Sequence, residues 1–262
     1  MNRAEDYYWT GRRFHLLHSQ EANAEARRMF DRAIALDPAH ARAHGHKSYT
    51  LVQAWRNGWY PVAGKADPLV AALRLAQTSV TLGPDDYENH WSLAIVHVYR
   101  REFGKGFGAY DKANRQIDYA AKTAAPIPDA DRADFLAEFA RSLLFIGDVK
   151  GAIRRLKAAS RLNPFPPGWY DWILGWALYD AGEYGRAHDV LSAAKDPPRR
   201  LFRRLAATCV RIGDRRGAVE AACRVLEQDP AYRIHKEDVW PYKNMKPLKD
   251  FQAALRETGL PS

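Results

Sequence analysis

A pattern of small and large residues recurs along the chain and restricts the folds that it can adopt. In six places a small residue is followed four positions later by a larger or apolar residue, and three positions after that by another small or apolar one. The six places are Ala26-Phe30-Ala33, Ala72-Ala76-Ser79, Gly106-Tyr110-Ala113, Ala152-Leu156-Ala159, Ala187-Leu191-Ala194 and Ala218-Ala222-Val225. Their first residues are 31 to 46 positions apart. Such a pattern at this period is typical of arrays of helix–turn–helix repeats.

Proline marks the end of four of these six segments. It follows the last residue of the pattern by five positions, at Pro38, Pro84, Pro164 and Pro230. Proline cannot continue the hydrogen-bond ladder of a helix, so we expect it to end the second helix of each pair. The pattern predicts an array over residues 1–230 with helix pairs near 7–38, 41–84, 86–118, 133–164, 168–198 and 199–230.

The last part of the chain leaves the pattern. For residues 231–262 we expect a linker followed by an amphipathic helix over 246–257. Leu248, Phe251 and Leu255 would share one face of that helix. A repeat array exposes an apolar face at its end, so this helix is predicted to cap the array.

The recurring residues resemble the tetratricopeptide repeat (TPR) over most of the chain, about residues 7–230. The resemblance implies an all-α, right-handed superhelical solenoid of about six helix pairs plus a C-terminal capping helix. Segments such as EANAEARRMFDRAIALDPAHARAH and the ending LRETGLP are similar to the repeat region C-terminal to bacterial class III nucleotide cyclases and to some winged-helix regulators. That similarity implies a regulatory or protein-binding role in bacteria. It implies no cyclase activity, because the catalytic domain has no counterpart in this sequence.

Composition indicates where in the cell the protein is expected and which kind of partner it favours. No stretch approaches the roughly 20 apolar residues that cross a bilayer, and the N-terminal MNRAEDYYWTGRR has no apolar run typical of a signal peptide. We therefore expect a cytoplasmic protein without membrane contact. The net charge of +9 favours acidic partners.

The resemblance also indicates where a partner would bind, because the first helices of such arrays line a concave groove. The predicted groove residues are Arg12, Tyr49, Trp91, Arg141, Trp172, Trp176, Arg200 and Arg204. Arginine offers a planar fork to carboxylates, and aromatic residues with arginine are enriched at the centres of interfaces. The sequence therefore predicts a protein or peptide partner with acidic groups and hydrophobic anchors. In the alternative interpretation the tryptophans pack between helices and the arginines are solvated.

No motif for catalysis, a cofactor or a metal stands out. The sequence has no GxxxxGK[ST], GxGxxG, GxSxG, HExxH or CxxC motif. His40 and His44 have a spacing that can bind metal on a helix, but no carboxylate or cysteine lies nearby at helical spacing. Cys209 and Cys223 are too few for a disulfide framework, and we expect both to be small buried thiols. The prediction is no cofactor, no metal site and no catalytic residue.

Three functions remain open from the sequence. The first is a non-catalytic scaffold or regulatory adaptor that binds a protein or peptide in its groove. The second is a basic repeat protein that binds nucleic acid, although acidic residues are interleaved with the basic ones. The third is an enzyme or small-molecule sensor with a pocket inside the superhelix, covered by the inserted loop 57–68 with its Trp59 and Tyr60. The oligomeric state is left open.

Overall fold

The computed structural model describes residues 3–17, 19–59, 67–122, 126–195 and 197–262. Within these ranges the structure is built of helices and turns, with no β-strand. The chain divides into two compact units, Met1–Ile127 (unit 1) and Pro128–Ser262 (unit 2). The predicted boundary between an array over 1–230 and a terminal segment over 231–262 is a different division and stays a prediction.

Unit 1 consists of helices that pair in sequence order. The helices are α1 (Arg3–His15), α2 (Gln20–Leu36), α3 (Ala41–Arg56), α4 (Pro68–Leu82), α5 (Tyr87–Tyr99) and α6 (Phe103–Ala120). Each odd-numbered helix packs against the helix that follows it. The first helices also contact one another, α1 with α3 and α3 with α5, so they form one continuous face of the unit.

Unit 2 repeats this arrangement and adds a terminal segment. Its helices are α7 (Asp129–Ile146), α8 (Val149–Leu162), α9 (Gly168–Asp180), α10 (Tyr184–Ala193), α11 (Leu201–Ile212) and α12 (Arg215–Gln228). A 3₁₀ helix (Ile234–Val239) and α13 (Lys246–Glu257) follow. The bounds of α13 agree with the predicted helix, and Leu248, Phe251 and Leu255 are all buried.

The small residues of the pattern allow the two helices of a pair to approach closely. Ala26, Phe30 and Ala33 of α2 are all fully buried. The Phe30 ring lies so close to Gly11 of α1 that a Cβ on residue 11 would come within 2.7 Å of it. Leu191 of α10 covers Gly175 of α9 in the same way, with a distance of 2.3 Å from such a Cβ to Leu191 Cδ2. The large residue of the second helix thus fills the space that glycine leaves on the first.

Gly175→Ala is expected to destabilise the protein by about 1–3 kcal/mol, because the new methyl group overlaps Leu191 and the pair must separate. Gly185→Ala is the matched control: a Cβ on this α10 residue meets no atom within 4 Å. That change should alter the stability by less than about 0.5 kcal/mol. Urea unfolding of both variants makes the comparison, and equal free energies of unfolding would contradict the close packing of α9 on α10.

The two cysteines differ in exposure. Cys209 on α11 is buried, as predicted, whereas Cys223 on α12 is exposed. The prediction for Cys223 was therefore wrong. On α12 the neighbouring Ala221 and Ala222 face the core, and Cys223, one residue further along the helix, falls on the solvent side.

Candidate functional site

The predicted groove residues lie on the first helices of both units, but in different surroundings. In unit 2, Arg141 is on α7, Trp172 and Trp176 are on α9, and Arg200 and Arg204 lie at and within α11. All except the half-buried Arg200 are buried. The alternative interpretation that the tryptophans pack inside the protein matches this burial, but their neighbours are not only helices of the array.

Trp172 and Trp176 pack against residues from the end of the chain. The Trp240 ring centroid lies 5.1 Å from that of Trp176 and 6.2 Å from that of Trp172. Phe145 of α7 stacks on Trp240 at 5.9 Å, and its carbonyl accepts a 2.7 Å hydrogen bond from the backbone N–H of Lys243. The face formed by α7, α9 and α11 therefore binds residues 240–243 of the same chain through rings and backbone.

Arg204 of α11 also contacts both α9 and the C-terminal helix α13. Its guanidinium lies 3.7 Å from the centroid of the Phe251 ring and 4.6 Å from that of Trp176. Asp180 pairs with it at 3.5 Å. Burial raises the pKa of Asp180, although the Arg204 charge opposes that shift. The solvated arginine of the alternative interpretation is thus wrong for Arg204, which is 3% exposed.

Hydrogen bonds connect the Arg204–Asp180 ion pair to the C-terminal segment, by which we mean residues 234–257. The indole N–H of Trp176 donates to the Tyr242 hydroxyl oxygen at 2.6 Å and to Asp180 Oδ2 at 3.0 Å. The Tyr242 hydroxyl donates to the same Asp180 oxygen at 3.1 Å. Burial, followed by the charge of Asp180, raises the pKa of Tyr242. Tyr242 therefore stays protonated and its hydrogen bonds persist at neutral pH.

A buried carboxylate fixes the beginning of the segment. Glu237 of the 3₁₀ helix is 2% exposed and accepts hydrogen bonds from Arg203 at 2.8 Å and from the Trp240 indole at 2.6 Å. Burial alone would raise its pKa, but the charges of Arg203 and Arg200 and the Trp240 hydrogen bond outweigh it, so the pKa is lowered. Glu237 is therefore ionised within an arginine-lined site, beside a cavity of about 10 Å³.

In unit 1 the corresponding face is built around one buried carboxylate, Glu88 of α5. The His46 Nε2 of α3 lies 2.6 Å from Glu88 Oε2, and Arg12 Nη1 of α1 lies 3.4 Å from both carboxylate oxygens. The Tyr8 hydroxyl donates at 3.4 Å, and Arg42 approaches to 3.8 Å. Glu88 thus joins the three first helices of the unit.

The pKa values of the side chains in this cluster determine which of them are charged at neutral pH. Burial would raise the pKa of Glu88, but the hydrogen bond from His46 and the charges of Arg12 and Arg42 lower it to about 2. Burial lowers the pKa of His46 despite its bond to Glu88, so the imidazole is neutral at pH 7 and donates from Nε2. Burial and the Glu88 charge raise the pKa of Tyr8. The arginines therefore carry the positive charge of the face.

The three predicted residues of unit 1 lie together on this face. Arg12 binds Glu88, and the Tyr49 and Trp91 ring centroids are 6.4 Å apart. His15 lies 4.8 Å from the Tyr49 ring. All three predicted residues are half-buried. Arg42, also on a first helix, belongs with them: its side chain is 39% exposed and forms an ion pair with Asp86.

Three further expectations concern the inserted loop, the membrane and the histidine considered as a metal ligand. The predicted lid over 57–68 includes residues 60–66, which lie outside the described residues. Among the helices that are described, none has the length and apolar character required to span a bilayer. His40, considered as a metal ligand, instead accepts from the Ala43 N–H with Nδ1 and places Nε2 3.1 Å from Glu5 of α1.

Comparisons with known proteins identify the fold and not a family. Neither protein-family models nor curated proteins match the sequence. Among solved structures, PilF of Pseudomonas aeruginosa superposes with a TM-score of 0.56 at 12% identity, over 96% of this chain and 97% of PilF.

Two larger proteins are similar over part of their length. A chain of the APC/C hetero-tetramer Cut9–Hcn1 matches with a TM-score of 0.58 at 16% identity, over 91% of this chain and 42% of that one. Yeast Tom70 matches with a TM-score of 0.52 at 13% identity, over 92% of this chain and 48% of Tom70. At such identities the likeness concerns the fold alone, and it confirms the predicted fold class: this chain is an all-α, tetratricopeptide-repeat solenoid.

Proposed function

We propose that the chain is a non-catalytic peptide- or protein-binding module whose partner binds on the first-helix face of unit 1. The observation that carries this proposal is the occupied face of unit 2. There the first-helix face binds a segment of the chain's own polypeptide, which forms one backbone hydrogen bond to Phe145. Trp240 and Tyr242 of the segment pack among aromatic rings, and its Glu237 carboxylate pairs with Arg203. This occupant supports the proposal that the face of unit 1 binds a ligand of the same kind.

The face of unit 1 offers the same classes of side chain to an external ligand. Arg12 and Arg42 take the place of the arginines, and Tyr49 and Trp91 take the place of the aromatic rings. The side chains of Arg12 and Arg42 are 21% and 39% exposed, so both can still reach an acidic group in solvent. Aromatic and arginine side chains at half-buried positions are the groups that most often dominate binding energy.

Charge supports an acidic partner. The chain carries a net charge of +9, which speeds the encounter with negatively charged ligands. The Glu88 carboxylate is buried beneath the two arginines and orients them, so less side-chain entropy is lost when they bind a ligand. We therefore propose an extended peptide that carries a carboxylate and, a few residues away, an aromatic or large apolar anchor.

We also propose a role for the module and a location in the cell. One structural neighbour belongs to the Cut9–Hcn1 hetero-tetramer, and we propose a partner-binding role for this chain by analogy. The similarity to the repeat regions of bacterial nucleotide cyclases and winged-helix regulators would make the module regulatory, and we place it in the bacterial cytoplasm. In this proposal four of the groove residues of unit 2, Trp172, Trp176, Arg200 and Arg204, bind the chain's own C-terminal segment. Arg141 is instead paired with Glu138 of its own helix.

A displayed library of random peptides, selected on the immobilised full chain, tests the proposal. Recovered peptides are expected to combine an acidic residue with an aromatic or apolar one. Trp91→Ala should weaken the binding of a recovered peptide by roughly 30-fold, the effect of losing about 2 kcal/mol at a central aromatic contact. Arg42→Ala should weaken it less and in a salt-dependent way.

Tyr119→Ala is the matched control. Tyr119 is an aromatic residue of the same unit that is 73% exposed on α6, away from the first helices. Its replacement should leave the dissociation constant unchanged. Equal binding by Trp91→Ala and the intact chain would contradict the site, and a chain that selects no peptide but retains nucleic acid at low salt would replace the proposal with the nucleic-acid alternative.

A further inference from the structure

Three side chains with metal-binding atoms lie together where the last two helix pairs of unit 2 meet. His188 is on α10, Cys209 is on α11, and Asp214 caps the start of α12. A ring nitrogen, the thiol sulfur and a carboxylate oxygen from these residues all lie within 4.8 Å of one another. Cys209 is buried and the other two are half-buried. The group combines three ligand types from two successive helix pairs.

A glycine leaves room beside these atoms. A Cβ at Gly217 would lie 2.2 Å from Asp214 Oδ2 and 3.1 Å from Cys209 Sγ, so any larger residue would press on both. Asp214 Oδ1 accepts a 2.9 Å hydrogen bond from the Gly217 N–H. One carboxylate oxygen therefore caps the helix, and Oδ2 is the oxygen that faces the glycine and the sulfur.

The turn itself does not require a cysteine, as the equivalent turn between α7 and α8 shows. There Asp148 caps Gly151 at 2.8 Å, and its N–H donates to the Leu143 carbonyl at 3.0 Å. In the later turn the Asp214 N–H donates to the Cys209 carbonyl at 2.9 Å. Leu143 thus occupies the position of Cys209 in the same backbone geometry, and the sulfur adds a chemistry that the fold does not need.

We propose that His188, Cys209 and Asp214 form a binding site for a zinc-class divalent cation that joins the α9–α10 pair to the α11–α12 pair. Thiolate, imidazole and carboxylate are the three ligand classes of zinc in proteins, and three protein ligands leave one position for water. The mixed set with sulfur selects zinc over magnesium or calcium, which prefer oxygen ligands alone.

The site needs only a small adjustment to bind the ion. Ligand atoms around tetrahedral zinc are roughly 3.3–3.8 Å apart, given the usual zinc–ligand distances. The half-buried His188 side chain can supply the movement by rotation. Its Nε2 lies 3.3 Å from the Ser192 hydroxyl oxygen, the kind of outer contact that orients a metal-bound imidazole. Arg216, two residues after Asp214 in sequence, is paired with Glu220 at 2.8 Å.

Titration of the untagged, chelator-treated full chain with Co²⁺ tests the site, because cobalt bound to a thiolate gives a charge-transfer absorption in the near ultraviolet. One Co²⁺ per chain is expected to produce this absorption in the intact protein and in Cys223→Ala, whose exposed thiol is the control. Cys209→Ala should abolish it. His188→Ala should weaken cobalt binding by at least about 100-fold, since loss of an outer contact alone costs 10–100-fold.

Thermal unfolding with Zn²⁺ gives an independent measurement. Zn²⁺ should raise the unfolding temperature of the intact chain and of Cys223→Ala, and not that of His188→Ala, which lacks one of the three ligands. The proposal is overturned if the intact chain gives no thiolate–cobalt absorption, or if the absorption persists in Cys209→Ala or disappears in Cys223→Ala.

Discussion

Replacing Trp240 with alanine is expected to destabilise unit 2 by about 3–5 kcal/mol, the usual cost of removing a fully buried tryptophan. Trp240 is 2% exposed and contacts the rings of Phe145, Trp172 and Trp176. Its indole N–H also satisfies the buried Glu237 carboxylate. The change would therefore leave a cavity and remove the hydrogen bond to Glu237 Oε2. Urea unfolding followed by tryptophan fluorescence measures the loss.

Phe165→Ala is the control for this prediction, because Phe165 is an aromatic residue of the same unit that is 92% exposed. It should change the free energy of unfolding by less than about 0.5 kcal/mol. If Trp240→Ala were as stable as Phe165→Ala, the C-terminal segment would not be part of the folded core of unit 2.

Glu88→Gln is expected to destabilise unit 1 by about 3 kcal/mol at pH 7, an effect that vanishes in acid. The glutamate pKa is lowered from 4.5 to about 2 in the folded state, which corresponds to about 3 kcal/mol of stability when the group is ionised. A carboxyl group with a lowered pKa contributes this stability above pH 4.5 and loses it as the pH falls toward 2. The glutamine keeps the shape but leaves Arg12 and Arg42 without their shared carboxylate.

The measurement is urea unfolding of the intact chain and the variant between pH 7 and pH 2.5. Glu25→Gln is the control, since this α2 residue pairs with Arg28 at an exposed site where ion pairs contribute little. A difference between Glu88→Gln and the intact chain that stayed constant with pH would show that the carboxylate charge does not stabilise the cluster.

The helical fold was predictable because its signal is local. Each helix pair needs small residues where two backbones meet, and Gly11 beneath Phe30 or Gly175 beneath Leu191 shows this need directly. The amphipathic spacing of Leu248, Phe251 and Leu255 likewise placed α13 correctly. The same local rules gave the wrong exposure for Cys223, because a shift of one residue on a helix moves a side chain from core to solvent.

The occupied face of unit 2 was beyond sequence reasoning. Trp240 and Tyr242 belong to an aperiodic stretch, so no pattern connects them with Trp176, more than 60 residues earlier in the chain. Glu237 and Arg203 form their ion pair across 34 residues of the chain. The one available signal was composition: a predicted linker that contains Trp240 and Tyr242 has more aromatic surface than a solvated segment needs.

The arrangement of side chains on the first-helix face of unit 1 was predicted in part, and its role as a binding site stays a proposal. Arg12, Tyr49 and Trp91 share a face because each occupies a first helix, which the repeat resemblance implied. Glu88 also lies on a first helix, but its burial and its role in linking these helices were not predicted, since a buried carboxylate is recognised only when its partners in space are known. The prediction of no metal site depended on sequence spacing, whereas His188, Cys209 and Asp214 meet only through the packing of α10 on α11.

Hydrogen exchange of the full chain, with and without a saturating library-selected peptide, tests the central claim most directly. We expect the peptide to slow exchange in α1, α3 and α5 and to leave α9 and residues 234–257 unchanged and already slow. Slower exchange in α9 on peptide binding, together with faster exchange in 234–257, would contradict the account, because the peptide would then have displaced the C-terminal segment from unit 2.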